Sequence, residues 1–271
     1  MTRPPLRVGI AGLGAVGLDV ARRLIDKELP GLILTAVAVR DADKARAALP
    51  QIGDMIALRS ATALADDCDI VVECLPPALF RDVAISVIDK GRIFMPLSVA
   101  QLLENEDLIA RAKAKGARIL VPSGALLGLD AVRAAAEDKV HSVTLVTRKP
   151  PAGLEGAPYL RERNITLAGL TEPKKIFDGS ARDGARGFPA NVNVAAALSL
   201  AGIGPDRTRL EIWADPNVTR NTHTITVDAE AARFTMTIEG VPSANPRTGR
   251  LVAPSTLAAL RALVSELKIG S

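Results

Sequence analysis

Six residues, GLGAVG at positions 12–17, constrain this chain more than any other stretch. They follow LRVGIAG, an apolar run of strand length. They open a segment with apolar residues at Leu18, Ala21, Leu24 and Ile25 and polar ones between, the spacing of one helix face. The G-x-G-x-x-G pattern alone is weak, but a strand before it and a helix after it make it the mark of a dinucleotide-binding βαβ unit. Gly12 permits the tight turn, Gly14 lets backbone approach a pyrophosphate, and Gly17 lets the helix lie close on the sheet. Ala15 and Val16 complete the turn, and the helix N-terminus adds N–H donors and a partial positive charge. The plain alternative is a glycine-rich turn with no ligand; its setting argues against that.

The alternation continues. LILTAVAVR, DIVVECLPP, RIFMPLS and ARILVPSG read as buried strands. DADKARAAL, ALFRDVAISVIDKG and AQLLENEDLIARAKAKG read as helices, the last two closed by Gly91 and Gly116. Strands alternating with helices predict right-handed βαβ units and a parallel sheet. The end of the second strand selects the cofactor, since a carboxylate there holds the ribose 2′-OH of NAD and an arginine accommodates the 2′-phosphate of NADP. This chain offers Arg40, then Asp41, with Lys44 a turn later, so the expected cofactor is NAD or NADP. Asp41 also reads as a helix N-cap. Leu75 and Pro76, where DIVVECLPP stops, complete the candidate cofactor edge.

After about residue 139 the pattern changes. HSVTLVTRKPP, TLAGL, RLEIWADP and THTITVDAEAARFTMTIEGVP read as strands with hairpin-like returns, interrupted by one helix, NVNVAAALSLAG. LVAPSTLAALRALVSELK is a final helix that can return to the first domain. The expectation is an α/β protein: a Rossmann-like parallel-sheet domain over residues 1–122 plus 243–271, and a second, α+β catalytic and dimerisation domain over 123–242. Only 3% of the chain is aromatic while 48% is hydrophobic, so the core must be built of Ala, Val, Leu and Ile. The net charge of +4 comes from scattered residues, and one Trp and one Tyr leave little to stack on bases. Nucleic acid is not an expected partner; small anions are. Cys68 and Cys74 read as reduced thiols, no stretch approaches a membrane span, and no signal peptide is evident, so a cytoplasmic protein is expected.

The second region contains few candidates for chemistry. Ser123, Gly124 and Ala125 follow a strand and would present backbone N–H groups at the sheet's carboxyl edge; the alternative is an ordinary capped turn. Asn191 follows Pro189 ahead of an Ala-rich helix, and reads as an N-cap or as an amide reaching a nicotinamide carboxamide. The chain has two histidines. His141 begins an apparent strand and reads as a surface residue. His223 sits in the polar stretch WADPNVTRNTHTITV, where a half-satisfied strand histidine is the ordinary reading.

Together VPSGALLGLDAV, RKPP, FDGSARDGARGFPANVNVAAALSLAG, ADPNVTRNTHTI and NPRTGRL resemble the L-aspartate dehydrogenase family, over nearly the whole chain. The resemblance implies a nicotinamide-binding domain, a catalytic domain and a homodimer. It implies oxidation of L-aspartate to iminosuccinate, then hydrolysis to oxaloacetate and ammonia, in association with NAD biosynthesis. It makes His223 the proposed acid/base, and Ala125 and Asn191 dinucleotide ligands. An imidazole suits those proton transfers near neutral pH. Asp215 is a candidate to orient it, or else a turn residue before Pro216. Lys149, Arg182, Arg186 and Arg220 are candidates for the substrate's two carboxylates. The segment FMPLSVAQLLENEDL departs from the short small-residue stretch usual in the family. Two other readings stand beside this one: another NAD(P)-dependent imine or amino-acid reductase of similar fold, and a non-catalytic dinucleotide sensor, which would need no placed histidine.

Overall fold

The computed structural model describes residues 4–189, 192–241 and 249–270. The chain divides into two compact units, one of residues 1–122 with 253–267 and one of 123–252 with 268–271.

The first unit alternates throughout: β1 (Leu6–Ala11), α1 (Ala15–Ile25), β2 (Leu32–Ala38), α2 (Ala42–Ala48), β3 (Ala57–Leu58), α3 (Leu64–Asp67), β4 (Ile70–Glu73), α4 (Phe80–Asp89), β5 (Ile93–Pro96), α5 (Asp107–Lys115) and β6 (Arg118–Ile119). The strands form one parallel sheet in the order β3-β2-β1-β4-β5-β6. The order reverses between β1 and β4, which makes that crevice the binding place of a doubly wound sheet. Val8, Ile10, Val72 and Met95 are fully buried, as strands covered on both faces require.

The second unit contains α6 (Leu129–Ala136), β7 (Val140–Lys149), α7 (Pro158–Glu162), β8 (Lys174–Ser180), α8 (Ala181–Gly187), α9 (Asn193–Ala201), β9 (Thr208–Ala214), β10 (Asn221–Ala229) and β11 (Arg233–Gly240). Its sheet runs β11-β10-β7-β9-β8, antiparallel except for the β7–β9 pair. Helices α6, α8 and α9 pack on strands of this sheet, so alternate residues of β7 (Val143, Leu145, Thr147, Lys149) are buried. The last helix, α10 (Val252–Ala262), brings Ala253, Leu257 and Leu260 into the core of the first unit with Val8, Ile10 and Leu29.

Four expectations need correction. The helix expected across AQLLENEDLIARAKAKG breaks at Asn105, whose side-chain amide donates to the Gln101 carbonyl while its own carbonyl accepts the Leu108 N–H. A 3₁₀ turn over Val99–Glu104 precedes the break. TLAGL is not a strand: the Thr166 hydroxyl accepts the Ala168 N–H and Gly169 sits at φ +71, both marks of a turn. The edge strand is KKIFDGS instead, where a register shift between Lys175 and Phe177 spoils the alternation that would have revealed it. Finally, the region has more helices than the one expected: α8, with two glycines in seven residues, is started by Ser180 accepting the Asp183 N–H.

Candidate active site

In the first unit, the turn from β1 into α1 is packed against the turn after β4. Gly12 has φ +97, and a Cβ there would stand 2.6 Å from the Cys74 carbonyl oxygen and 3.3 Å from Leu75 Cδ2. A Cβ on Gly17 would stand 2.0 Å from the Gly12 carbonyl oxygen, so no larger residue fits there. Gly14 is different: a Cβ on it would meet nothing within 4 Å. The open side of the turn is thus the side where backbone can approach a ligand. Gly14 is also the N-cap of α1, with no side chain capping it. A tight turn, open space before it and an uncapped helix start fit a dinucleotide pyrophosphate.

Ala15 and Val16 form the first turn of that helix. At the end of β2, Asp41 caps α2, accepting the Lys44 N–H at 3.0 Å, while Arg40 is exposed beside it. Leu75 and Pro76 lie in the loop after β4. Under this edge is Glu73, fully buried at the end of β4. Its carboxylate accepts the Leu75 N–H at 2.7 Å, the Ser98 N–H at 3.2 Å and the Ser98 hydroxyl at 3.1 Å. Burial raises its pKa, and those hydrogen bonds oppose the rise. Sequence reading passed over Glu73, although a carboxylate ending the apolar run DIVVEC is itself a signal.

In the second unit, Ser123 to Leu126 form a turn closed by the Leu126 N–H on the Ser123 carbonyl, with Gly124 at φ +63 and Ala125 partly buried. Asn191 lies outside the described residues; α9 begins at Asn193 with Val192 at its N-cap.

His223 lies on β10 directly opposite Thr147 of β7, and both are buried on the helix-covered face. His223 Nδ1 is 3.0 Å from Thr147 Oγ1. Lys149, two residues on along β7, shares that face, is 5% exposed, and lines a small recess with Thr147, Val192, Val194, Ala195, Leu210 and Ile212. Burial pulls the Lys149 ammonium down to about 8. Burial first, and the Lys149 charge second, hold His223 down to about 3. With the protein's own charges alone, His223 is therefore a neutral imidazole.

Asp215 does not orient His223. Its carboxylate accepts from Arg148 Nη1 at 3.2 Å and from the Asn217 N–H at 2.9 Å. Arg148, next to Thr147 on β7, points to the other side of the sheet, where it lies 4.7 Å from the centre of the Trp213 ring. Thr147 takes the place assigned to Asp215, and only the cross-strand register reveals it. Among the carboxylate candidates, Arg182 is bound to Asp206 and Arg186 stands 4.0 Å from Asp183, while Arg220 is exposed. Lys149 is buried on the His223 face, two residues from Thr147 on β7. His141 is exposed at the start of β7. Cys68 and Cys74 are free thiols.

Among the described residues, no group of three or more His, Cys, Asp or Glu is placed to hold a metal, and no helix is long and apolar enough to cross a membrane.

Comparison with known proteins adds independent findings. The profile of the family "Aspartate dehydrogenase, C-terminal" matches residues 130–263, and that of "Homoserine dehydrogenase, NAD binding domain" matches residues 12–122. L-aspartate dehydrogenase 3 of Bordetella bronchiseptica is 50% identical over 273 residues, spanning all of this chain and 99% of the relative. L-aspartate dehydrogenase of Bradyrhizobium diazoefficiens is 50% identical over 266 residues, 98% of this chain and 94% of the relative. The crystal structure of aspartate dehydrogenase from Thermotoga maritima superposes with a TM-score of 0.76 at 23% identity, covering 98% of this chain and 99% of that one. That last likeness concerns the fold.

Proposed function

The chain belongs to the L-aspartate dehydrogenase family, and from that premise we propose that His223 moves the protons of the reaction and that Lys149 receives a carboxylate of the substrate. The protein is an NAD(P)-dependent oxidoreductase that oxidises L-aspartate. A nicotinamide cofactor held at the Gly12–Gly17 turn would supply the acceptor for the hydride on Cα of the amino acid, and water would convert the resulting imine to oxaloacetate and ammonia.

Two proton transfers flank that step. The amine must be neutral before hydride leaves, and the water that attacks the imine must give up a proton. Thr147 holds Nδ1 of His223, which fixes the ring and leaves Nε2 as the nitrogen that exchanges protons. A group at about 3 is too acidic to take a proton near neutrality. The dianionic side of the substrate changes this. A carboxylate beside Lys149 offsets the cation that lowers His223 and adds its own negative field, and both effects raise the imidazole toward the working range. Lys149 therefore both anchors the substrate and couples its arrival to the basicity of His223.

The turn over Gly12–Gly17, with Asp41, Arg40, Leu75 and Pro76, holds the dinucleotide. Ala125 and Asn191 are its expected ligands from the second unit. The reading also includes a cytoplasmic homodimer, whose mass in solution tests it.

The observation that carries the mechanism is the shared buried face of His223, Thr147 and Lys149. Purified protein supplied with L-aspartate and NAD or NADP should generate the reduced cofactor, read by its absorbance. His223→Asn should bind the cofactor and fail to turn over. Cofactor binding by the unmodified protein without turnover of any amino acid would instead favour the sensor reading.

A further inference from the structure

We propose that Glu73 is a positioning residue for the nicotinamide half of the cofactor, acting as a buried clamp between the loops that follow β4 and β5. The proposal deepens the dinucleotide reading and rests on it. The sheet order sets the direction of the cofactor. With the pyrophosphate turn after β1 and the ribose carboxylate Asp41 after β2, the adenosine half runs over β2. The other half crosses the switch point and runs over the ends of β4 and β5.

Those two ends carry no glycine-rich turn and no helix N-cap side chain to fix them. They are fixed by one carboxylate. Glu73 Oε1 accepts the Leu75 N–H at 2.7 Å and the Ser98 hydroxyl at 3.1 Å, and Oε2 accepts the Ser98 N–H at 3.2 Å. The Ser98 hydroxyl also lies 3.3 Å from the Leu75 carbonyl oxygen, closing the link between the loops. The Glu73 backbone carbonyl accepts the Leu97 N–H as well. The clamp sits beside the pyrophosphate turn, because Glu73 pairs with Ala11 and the next residue, Cys74, donates its N–H to the Ala11 carbonyl and packs against Gly12.

A carboxyl group wholly removed from water is costly in a place where an apolar side chain would complete the strand. Three donors converging on it from two loops give it a reason to be there. The reason is local: none of the three is part of the helix or strand ladders of the unit. Ser98 opens the Val99–Glu104 turn after β5, so the clamp ties the start of that turn to the end of β4.

The test compares two ligands in the same protein. ADP contacts only the adenosine and pyrophosphate side; NADH contacts both sides. Glu73→Gln keeps the shape and substitutes an N–H₂ donor for one acceptor, so a loop N–H loses its partner. Its Kd for NADH should rise about tenfold and its Kd for ADP less than twofold. Ser98→Ala, which removes only the hydroxyl, should move the same ratio about threefold. The double variant should fall short of the product, because both act on one link. Equal weakening of both ligands would make Glu73 a purely structural residue, and unchanged affinity for both would remove it from the site. If Glu73→Gln does not fold, an unchanged ratio in Ser98→Ala overturns the proposal. Failure of the unmodified protein to bind either ligand would overturn the dinucleotide reading instead.

Discussion

Thr147 and His223 face each other across the β7–β10 pair, with Thr147 Oγ1 3.0 Å from His223 Nδ1 and neither residue more than 4% exposed. The pair is separated by 76 positions in sequence. It gives the imidazole a fixed ring orientation without a carboxylate, so the ring is held by a neutral group, and burial first and the Lys149 charge second keep it uncharged.

Removing the hydroxyl while keeping the branched shape should loosen the ring. Thr147→Val is expected to lower kcat roughly three- to tenfold, the effect of one hydrogen bond worth about 1 kcal/mol. Thr147→Ser should retain most activity. Steady-state kinetics on the two variants decide it; equal activity in both would mean that ring orientation is set elsewhere.

His223→Ala should lose about 10²–10⁴-fold in kcat, the usual contribution of a placed acid/base group. NADH binding should persist, because the glycine turn belongs to the other unit. Titrating NADH by fluorescence alongside the activity assay separates the two effects. Loss of binding together with activity would assign His223 to the fold.

Lys149→Met should raise KM for L-aspartate roughly 10–100-fold, as expected for a hydrogen bond to a charged group of about 1.5–3 kcal/mol. The same change removes the cation that helps to lower His223, so the His223 ring should titrate at higher pH in the variant without substrate. NMR of the ring protons reads that shift, and a ring that titrates unchanged would exclude the coupling.

The His223 shift also predicts acid sensitivity. Folded, the group sits at about 3; unfolded, it returns to about 6.5. Above about pH 6.5 it is neutral in both states and contributes no pH dependence. Between about 6.5 and 3 the unfolded chain binds a proton that the folded chain does not, so stability falls as pH falls through that window. Lys149, at about 8 when folded, does the same between about 10.5 and 8, with a constant cost below. The Tm of His223→Asn should therefore decline less steeply than that of the unmodified protein between pH 6.5 and 4. Parallel curves would show that the ring is not held neutral.

The parts of this molecule that were legible in the sequence are those fixed by local rules. Gly12, Gly14 and Gly17 announce their turn because its geometry is built within six residues, and Asp41 announces its cap for the same reason. The first unit is legible because its strands are buried on both faces and read as unbroken apolar runs. The edge strand β8 was hidden by a register irregularity, and the break that separates α5 from the turn before it by the side-chain hydrogen bond of Asn105. Thr147, Lys149 and Glu73 gain their meaning from partners on other strands or loops. Asp215 looked right for His223 because it is near in sequence, but β-strand alternation gives it to Arg148 on the other face.

The two later glycines of the turn should fail in opposite ways. A Cβ at Gly17 would fall 2.0 Å from the Gly12 carbonyl oxygen, inside the contact of α1 with the turn. Gly17→Ala must therefore move backbone, and its Tm should drop by several degrees, as for about 1–3 kcal/mol of overpacking. Gly14, at φ −73, already has a backbone that any residue can adopt, and a Cβ there meets nothing within 4 Å. Gly14→Val should therefore fold with a Tm near that of the unmodified protein. The added branches would occupy the space through which a pyrophosphate reaches the start of α1, so NAD(H) affinity should fall at least tenfold. Thermal melting and cofactor titration of both variants give four numbers. A Gly14→Val protein that melts normally and binds NADH as before would move the pyrophosphate away from this turn. A Gly14→Val protein that melts early would show that the space before the turn is needed for folding rather than for the ligand.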